Sequence, residues 1–295
     1  MSQVASQSQQ AVTPELRAWI VQQATAGHAP EAVLQSMLAS GWNEDVAVAA
    51  LENTLREHLA TQQAAQQAGA AQVLPAEVLV PQLALQYQPL YMDAGDRIVT
   101  VLSVMHNPQI VVLGDLLSGE ECDALIAAAQ PRMMRSLTVA TKTGGEEVNA
   151  DRTSNGMFFG RSENAVVQRV EQRLARLTNW PLVNGEGLQI LQYGPGAQYR
   201  PHFDYFDPNE PGTPTILKRG GQRVATVIMY LAEPQKGGAT VFPDVGLEVA
   251  PKRGNGVFFS YSRAHPGSRS LHGGAPVIAG EKWIATKWLR EREFV

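Results

Sequence analysis

His202-Phe203-Asp204 and the distant Leu271-His272-Gly273 supply two imidazoles and one carboxylate, and Lys282 follows the second histidine within Gly280-Glu281-Lys282-Trp283-Ile284. Two histidines and a carboxylate make the three-ligand face of non-haem Fe(II) oxygenases, which leaves the opposite coordination positions open. Side chains alternate along a strand, so His202 and Asp204 point into a common pocket while Phe203 faces the other layer. His272 lies too far along the chain to share their hairpin. A later strand must fold back beside the first, which calls for a closed or sandwiched antiparallel sheet. Zinc also takes three protein ligands and a water in hydrolytic sites, but the helical His-Glu-x-x-His signature with its general base is absent. Lys282 favours iron. Oxygen chemistry at such a face needs an electron source, and an organic cosubstrate with a terminal carboxylate needs a fixed cation on the pocket floor. Taken singly, His-x-Asp also reads as an ordinary strand pair and Lys282 as a solvated edge lysine.

The elements that would position these groups follow from the pattern. Leu188–Tyr193, Gln222–Leu231, Thr240–Phe242, Leu247–Val249, Gly256–Ser260 and Trp283–Leu289 read as strands separated by Gly- and Pro-rich turns. Ile110 to Leu113 reads as a strand entering a helix capped by Ser118, with Glu121 completing a capping box. Residues 165–177 read as a helix with Val166, Val170 and Leu174 on one stripe. The fold class expected is α+β with a mainly β core: a double-stranded β-helix, a jelly-roll relative, buttressed by helices. Residues 140–151 and 207–221 read as loops able to close over a peptide, with Tyr205 and Phe206 adding aromatic surface.

Three short amphipathic helices are predicted within 13–60, opened by Thr13-Pro14-Glu15, Ala29-Pro30-Glu31 and Asn43-Glu44-Asp45. Met37 to Trp42 faintly resembles the loop of ubiquitin-associated-like modules, so this domain is either a packing appendage or a site for a protein partner. The uncharged Ala/Gln tract from residue 61 reads as a linker over 61–80. A catalytic domain is expected over 81–295, its core at about 186–291.

Five ordered motifs carry a more specific likeness. They are Leu191-Gln192-Tyr193-Gly194-Pro195-Gly196 through Tyr199-Arg200-Pro201-His202-Phe203-Asp204, then Gly220 to Thr226, Met229-Tyr230-Leu231, Gly237 to Pro243, and Leu271 to Val277 with the Lys282 segment. Together with Asn107-Pro108 and Arg152 to Phe159, they resemble the collagen-type, algal and plant branch of the prolyl 4-hydroxylases, which are Fe(II)- and 2-oxoglutarate-dependent dioxygenases. The resemblance runs from about residue 107 to 293. It implies that His202, Asp204 and His272 hold iron, that Lys282 pairs with the distal carboxylate of 2-oxoglutarate, and that Tyr193 and Thr240 donate hydrogen bonds near it. It also places Tyr199, Arg223 and Trp288 near the substrate proline. Core packing is the alternative for the aromatic residues, and a surface ion pair for Arg223. Ala239 and Arg290 depart from the family, which commonly has glutamate and sometimes histidine there; both bear on substrate contacts. The implied reaction consumes O2 and 2-oxoglutarate, releases succinate and CO2, uses ascorbate as reductant, and converts peptidyl proline to 4-hydroxyproline. An oxygenase acting on another side chain or a free amino acid, and a non-catalytic binding protein using the helical module, are the other readings.

A chain of 295 residues with 44% hydrophobic content suits one large domain plus a small one. No apolar run approaches the roughly 20 residues of a membrane helix, and the start of the sequence lacks the pattern of a secretion signal, so a cytoplasmic protein is expected. The single cysteine, Cys122, cannot form an intrachain disulfide and reads as a small core residue. Arg17 and Arg56 stand against Glu15, Glu31, Glu44, Asp45, Glu52 and Glu57, which accounts for the whole net charge of −4, the remainder holding 22 residues of each sign. That balance lacks the basic footprint of a nucleic-acid binder.

Overall fold

The computed structural model describes residues 11–26, 28–70, 74–136, 138–139, 146–147 and 153–295. The chain divides into two units, Met1–Val73 and Leu74–Val295. In the first, Thr13 Oγ1 accepts the Leu16 amide at the start of α1 (Pro14–Thr25), Pro30 opens α2 (Pro30–Ala39), and Asn43 Oδ1 accepts the Asp45 and Val46 amides ahead of α3 (Glu44–Ala70). Helical spacing brings Ile20, Val33, Met37, Ala47, Ala50 and Leu51 into one core. The linker expected from residue 61 is corrected: α3 continues through Ala70. Alanine and glutamine favour helix, and extending an existing helix adds one hydrogen bond per residue fixed, so Gly69 alone does not stop it.

The second unit is built on two antiparallel sheets. The larger runs, in spatial order, Tyr91–Asp93, Ile98–His106, Gln109–Gly114, Gly256–Ser260, Arg223–Ala232, Lys282–Arg290, Leu188–Tyr193, Asn155–Phe159 and Met134–Arg135. The smaller runs Leu247–Val249, Thr240–Phe242, His272–Gly274 and Tyr199–His202. From Leu188 onward the chain passes repeatedly between the sheets: large, small, large, small twice, large, small, large. That winding is the double-stranded β-helix, and it explains why the strands are short and separated by turns.

Each face of the large sheet has its own core. On one side Ile228, Tyr230, Val257, Phe259 and Ile284 meet Phe242 and Val249 of the small sheet. On the other, Leu188, Ile190, Val227, Met229 and Ala285 pack with residues of α4 (Gly119–Ala129) and α5 (Ala165–Thr178). The predicted capping box closes α4: the Glu121 amide donates to Ser118 Oγ, and the Ser118 amide to Glu121 Oε2. The stripe of α5 is shifted from its expected position: Val167, Val170, Leu174 and Leu177 are buried, Val166 only partly. Burying such a side chain contributes about 1.5–3 kcal/mol, enough for these four to anchor α5 beneath the sheet. Cys122 is buried in this core as expected.

The segment 207–221 differs from the loop expected of it. It contains α6 (Thr213–Ile216), with Thr213 buried and donating to the Asp207 carbonyl, and Gly220 accepts the Arg292 amide of the C-terminal segment. Tyr205 and Phe206 are buried rather than surface aromatics. The other expected loop, 140–151, falls almost wholly outside the described residues.

Candidate active site

The small sheet brings the two histidines together. His272 lies opposite His202 in the ladder between their strands. Gly273 permits that approach: a Cβ there would lie 2.8 Å from the Tyr199 carbonyl oxygen and 3.0 Å from the Pro201 nitrogen. Asp204 arrives by a different route from the one alternation suggests. The strand ends at His202 and a bend carries Asp204 into the pocket, while Phe203 stacks on Tyr205 at 4.8 Å beside the inter-sheet core instead of facing another layer.

Ligand atoms of His202, Asp204 and His272 all lie within 4.8 Å of one another. His202 Nδ1 is 2.9 Å from the Arg200 carbonyl and His272 Nδ1 is 3.0 Å from the Ser270 carbonyl. A carbonyl only accepts, so each Nδ1 carries the hydrogen and each Nε2 keeps its lone pair. Those Nε2 atoms face the two oxygens of Asp204, at 3.6 and 3.4 Å. Burial brings His272 down to about 4, so its imidazole is neutral at neutral pH. Burial opposes ionisation of Asp204, but His272, His202 and the Arg223 guanidinium outweigh it and hold the carboxyl well below its usual range. Two imidazoles and one carboxylate, converging with no cation among the described residues between them, fit a divalent metal.

Behind the triad, Thr226 Oγ1 donates to Asp204 Oδ2 at 2.7 Å and lies 3.0 Å from the Tyr261 hydroxyl. Burial, with the nearby Asp204 charge, raises Tyr261 well above its ordinary value, so the phenol keeps its proton and donates to Thr226. Thr226→Val keeps the shape and removes the hydroxyl that orients Asp204. Fe(II) affinity is expected to fall by roughly 10–100-fold, measured by iron titration with thermal unfolding as a control for folding.

Lys282 lies across the same pocket, opposite Tyr193 in the ladder of the large sheet. Its ammonium is buried, 5.6 and 5.8 Å from the ring centroids of Tyr193 and Tyr230. No acidic side chain among the described residues forms an ion pair with it, and burial lowers it to about 8. A buried cation facing a pocket without an internal counter-ion fits an anionic ligand. Tyr230 donates to Thr240 Oγ1 at 2.8 Å, which leaves the Thr240 proton for another acceptor. Leu191, Ile228 and Ile284 line the remaining wall, with Tyr199 stacked on His202 at 3.7 Å and Trp288 at the pocket's edge.

Arg223 is the sequence-selected residue the structure places behind the pocket rather than in it. It forms a two-point pair with Glu186, at 2.7 and 2.9 Å, and lies 3.9 Å over the Trp288 ring. Glu186 is buried and Arg223 largely so, which takes the pair off the surface, and Glu186 itself had no signal in the sequence. Arg290 joins them: its Nε lies 2.6 Å from Glu186 Oε1 without hydrogen-bond geometry, and its Nη1 donates to the Gly221 carbonyl. Arg290 is therefore a strut that ties Glu186 to the turn before the Arg223 strand. Thr226, Tyr230 and Tyr261 were also missed, though strand alternation from Ile228 would have put Thr226 and Tyr230 on the pocket face.

Jelly-roll winding around two histidines, a carboxylate and a facing buried lysine defines an iron oxygenase of the double-stranded β-helix class. Residues 188–290 match the 2OG-Fe(II) oxygenase superfamily. Prolyl 4-hydroxylase 5 of Arabidopsis thaliana is 42% identical over 221 residues, covering 68% of this chain and 74% of that relative. Prolyl 4-hydroxylase 1 of the same plant is 42% identical over 207 residues, covering 64% and 71%. Among solved structures, the viral collagen prolyl hydroxylase of Paramecium Bursaria Chlorella virus-1 has 29% identity and a TM-score of 0.49, covering 61% of this chain and 95% of that one. The chain belongs to the prolyl 4-hydroxylase family of 2-oxoglutarate-dependent dioxygenases. Among the described residues no helix is long and apolar enough to cross a membrane.

Proposed function

We propose that this enzyme hydroxylates peptidyl proline at C4, with His202, Asp204 and His272 holding Fe(II) and Lys282 holding the far carboxylate of 2-oxoglutarate. The observation that carries this reading is the buried Lys282 ammonium, without an acidic partner among the described residues, facing the same pocket as three converging ligand atoms. Fe(II) and 2-oxoglutarate, bound there, supply an oxidant for an unactivated C–H bond, with succinate and CO2 as coproducts. The protein's share is binding and geometry. The Nδ1–H bonds to Arg200 and Ser270 hold both imidazoles in the metal-binding tautomer. Thr226 holds Asp204, and Tyr193 and Thr240 stand beside Lys282 to complete the carboxylate's hydrogen bonds. Leu191, Ile228 and Ile284 exclude water from the centre.

Tyr199 and Trp288 form walls for the proline ring, and Arg223 acts through Trp288 as a positioning residue. The buried Trp288 indole N–H has no acceptor within the described residues. Ascorbate as reductant and a reducing, cytoplasmic setting belong to the same proposal, the latter supported by the lone buried thiol of Cys122. The test is mass spectrometry of a proline-rich peptide library after incubation with enzyme, Fe(II), 2-oxoglutarate and ascorbate, with ascorbate omitted in a parallel arm. A gain of one oxygen on proline is expected. Consumption of 2-oxoglutarate with every proline unmodified would move the activity to another substrate.

A further inference from the structure

The metal pocket continues along the large sheet. Two rows of cross-strand partners run outward on its pocket face: Thr286, Gln189 and Phe158 in one, and Ile284, Leu191, Gly156 and Met134 in the next. Thr286, Ile284 and Leu191 line the metal pocket, and the outer members of both rows line an adjoining groove of about 350 Å³. Phe158 and Met134 stand 47% and 74% exposed on this track. Of the two arginines that line the groove, Arg132 is engaged with Glu163 and the Phe158 carbonyl and Arg135 is exposed, while Met134, Met157 and Phe158 supply its apolar surface.

The spacing selects an occupant. The Phe158 and Trp288 ring centroids are 6.4 Å apart and the rings tilted by 36°. A polyproline II chain advances about 3.1 Å per residue, so a residue two positions from one held at Trp288 lies about 6 Å away. Aromatic-lined grooves accept proline-rich chains in that conformation because little entropy is lost on binding.

The geometry points to a second subsite: we infer that Phe158, with Met134, selects a proline or similarly apolar residue two positions from the target proline. This rests on the peptidyl-proline reading above. The test compares full-length wild type with Phe158→Ala and Phe158→Tyr on two peptides that carry one target proline and differ only two positions to either side of it, with proline or with serine. Hydroxyproline formation should give wild type a kcat/KM roughly tenfold higher for the proline-flanked peptide, the low end of what an apolar pocket discriminates. Phe158→Ala should bring that ratio to about one, and Phe158→Tyr should keep it. Equal rates on both peptides with wild type, or an unchanged ratio with Phe158→Ala, overturn the subsite alone. If wild type hydroxylates neither peptide, the peptidyl-proline reading falls and the subsite with it.

Discussion

Alanine in place of His202, Asp204 or His272 is expected to abolish Fe(II) retention and succinate formation together. The three ligand atoms come from one strand, the bend after it and a neighbouring strand, and no other group of three or more His, Cys, Asp or Glu side chains with metal-binding spacing occurs among the described residues. Among the described residues nothing nearby can replace a lost ligand. Altering a residue that merely orients a ligand costs about 10–100-fold in metal affinity, so losing a ligand should cost well beyond that. Asp204→Ala carries a further consequence, since the Thr226 hydroxyl loses its buried acceptor and the Arg223 cation loses a nearby negative charge. Both histidine variants should fold: each imidazole makes one backbone hydrogen bond, and His202 is only partly buried. Iron content after anaerobic loading, 2-oxoglutarate turnover and thermal unfolding separate loss of the site from loss of the fold. A single variant that folds, retains iron at wild-type affinity and turns over would remove that residue from the ligand set.

The sequence carried the site wherever regular strand geometry applies. His202 and His272 each end up on the pocket face of a short strand, and Lys282, Ile284, Thr286 and Trp288 share one face of theirs as period two requires. The illegible parts lie where that regularity breaks. Asp204 enters by a bend, so its pairing with His202 was anticipated but its backbone path was not. A register shift between Arg223 and Ala225 lets Arg223 reach Trp288 on the face that Thr226 uses, although the two are an odd number of residues apart. Glu186 was invisible for another reason. Its partners Arg223 and Arg290 lie on two other strands, and an ion pair between distant positions leaves no local pattern. The long α3 shows the opposite failure: glycine and the lack of an apolar stripe argued for a tether, and local helix propensity prevailed.

Wild-type affinity for 2-oxoglutarate is expected to decline as pH rises above about 8, because that is where burial has brought the Lys282 ammonium. The sign follows from which form binds. Below about pH 8 the lysine is already protonated and meets the dianionic cosubstrate directly, so affinity is flat. The bound carboxylate favours the charged lysine and raises its pKa in the complex. Above about 8, binding must therefore take up a proton, and KM should rise by up to tenfold per pH unit until the pKa of the complex is passed. Lys282→Met removes the charge and keeps the stem, leaving the distal carboxylate buried without its partner. Breaking a buried pair costs about 3–5 kcal/mol, so KM should rise by roughly 10² to 5 × 10³-fold. Lys282→Arg tests the titration itself, because a guanidinium stays charged throughout. The space is tight: a Cβ on Gly238 would lie 3.2 Å from Lys282 Cδ, so the bulkier head should bind cosubstrate less well at every pH. Its profile should nevertheless be flat where wild type falls. Measuring 2-oxoglutarate KM from about pH 7 to 10 for the three proteins separates charge from fit. A wild-type profile as flat as that of Lys282→Arg would mean the ammonium does not titrate against the cosubstrate, and the anion would have to be held elsewhere.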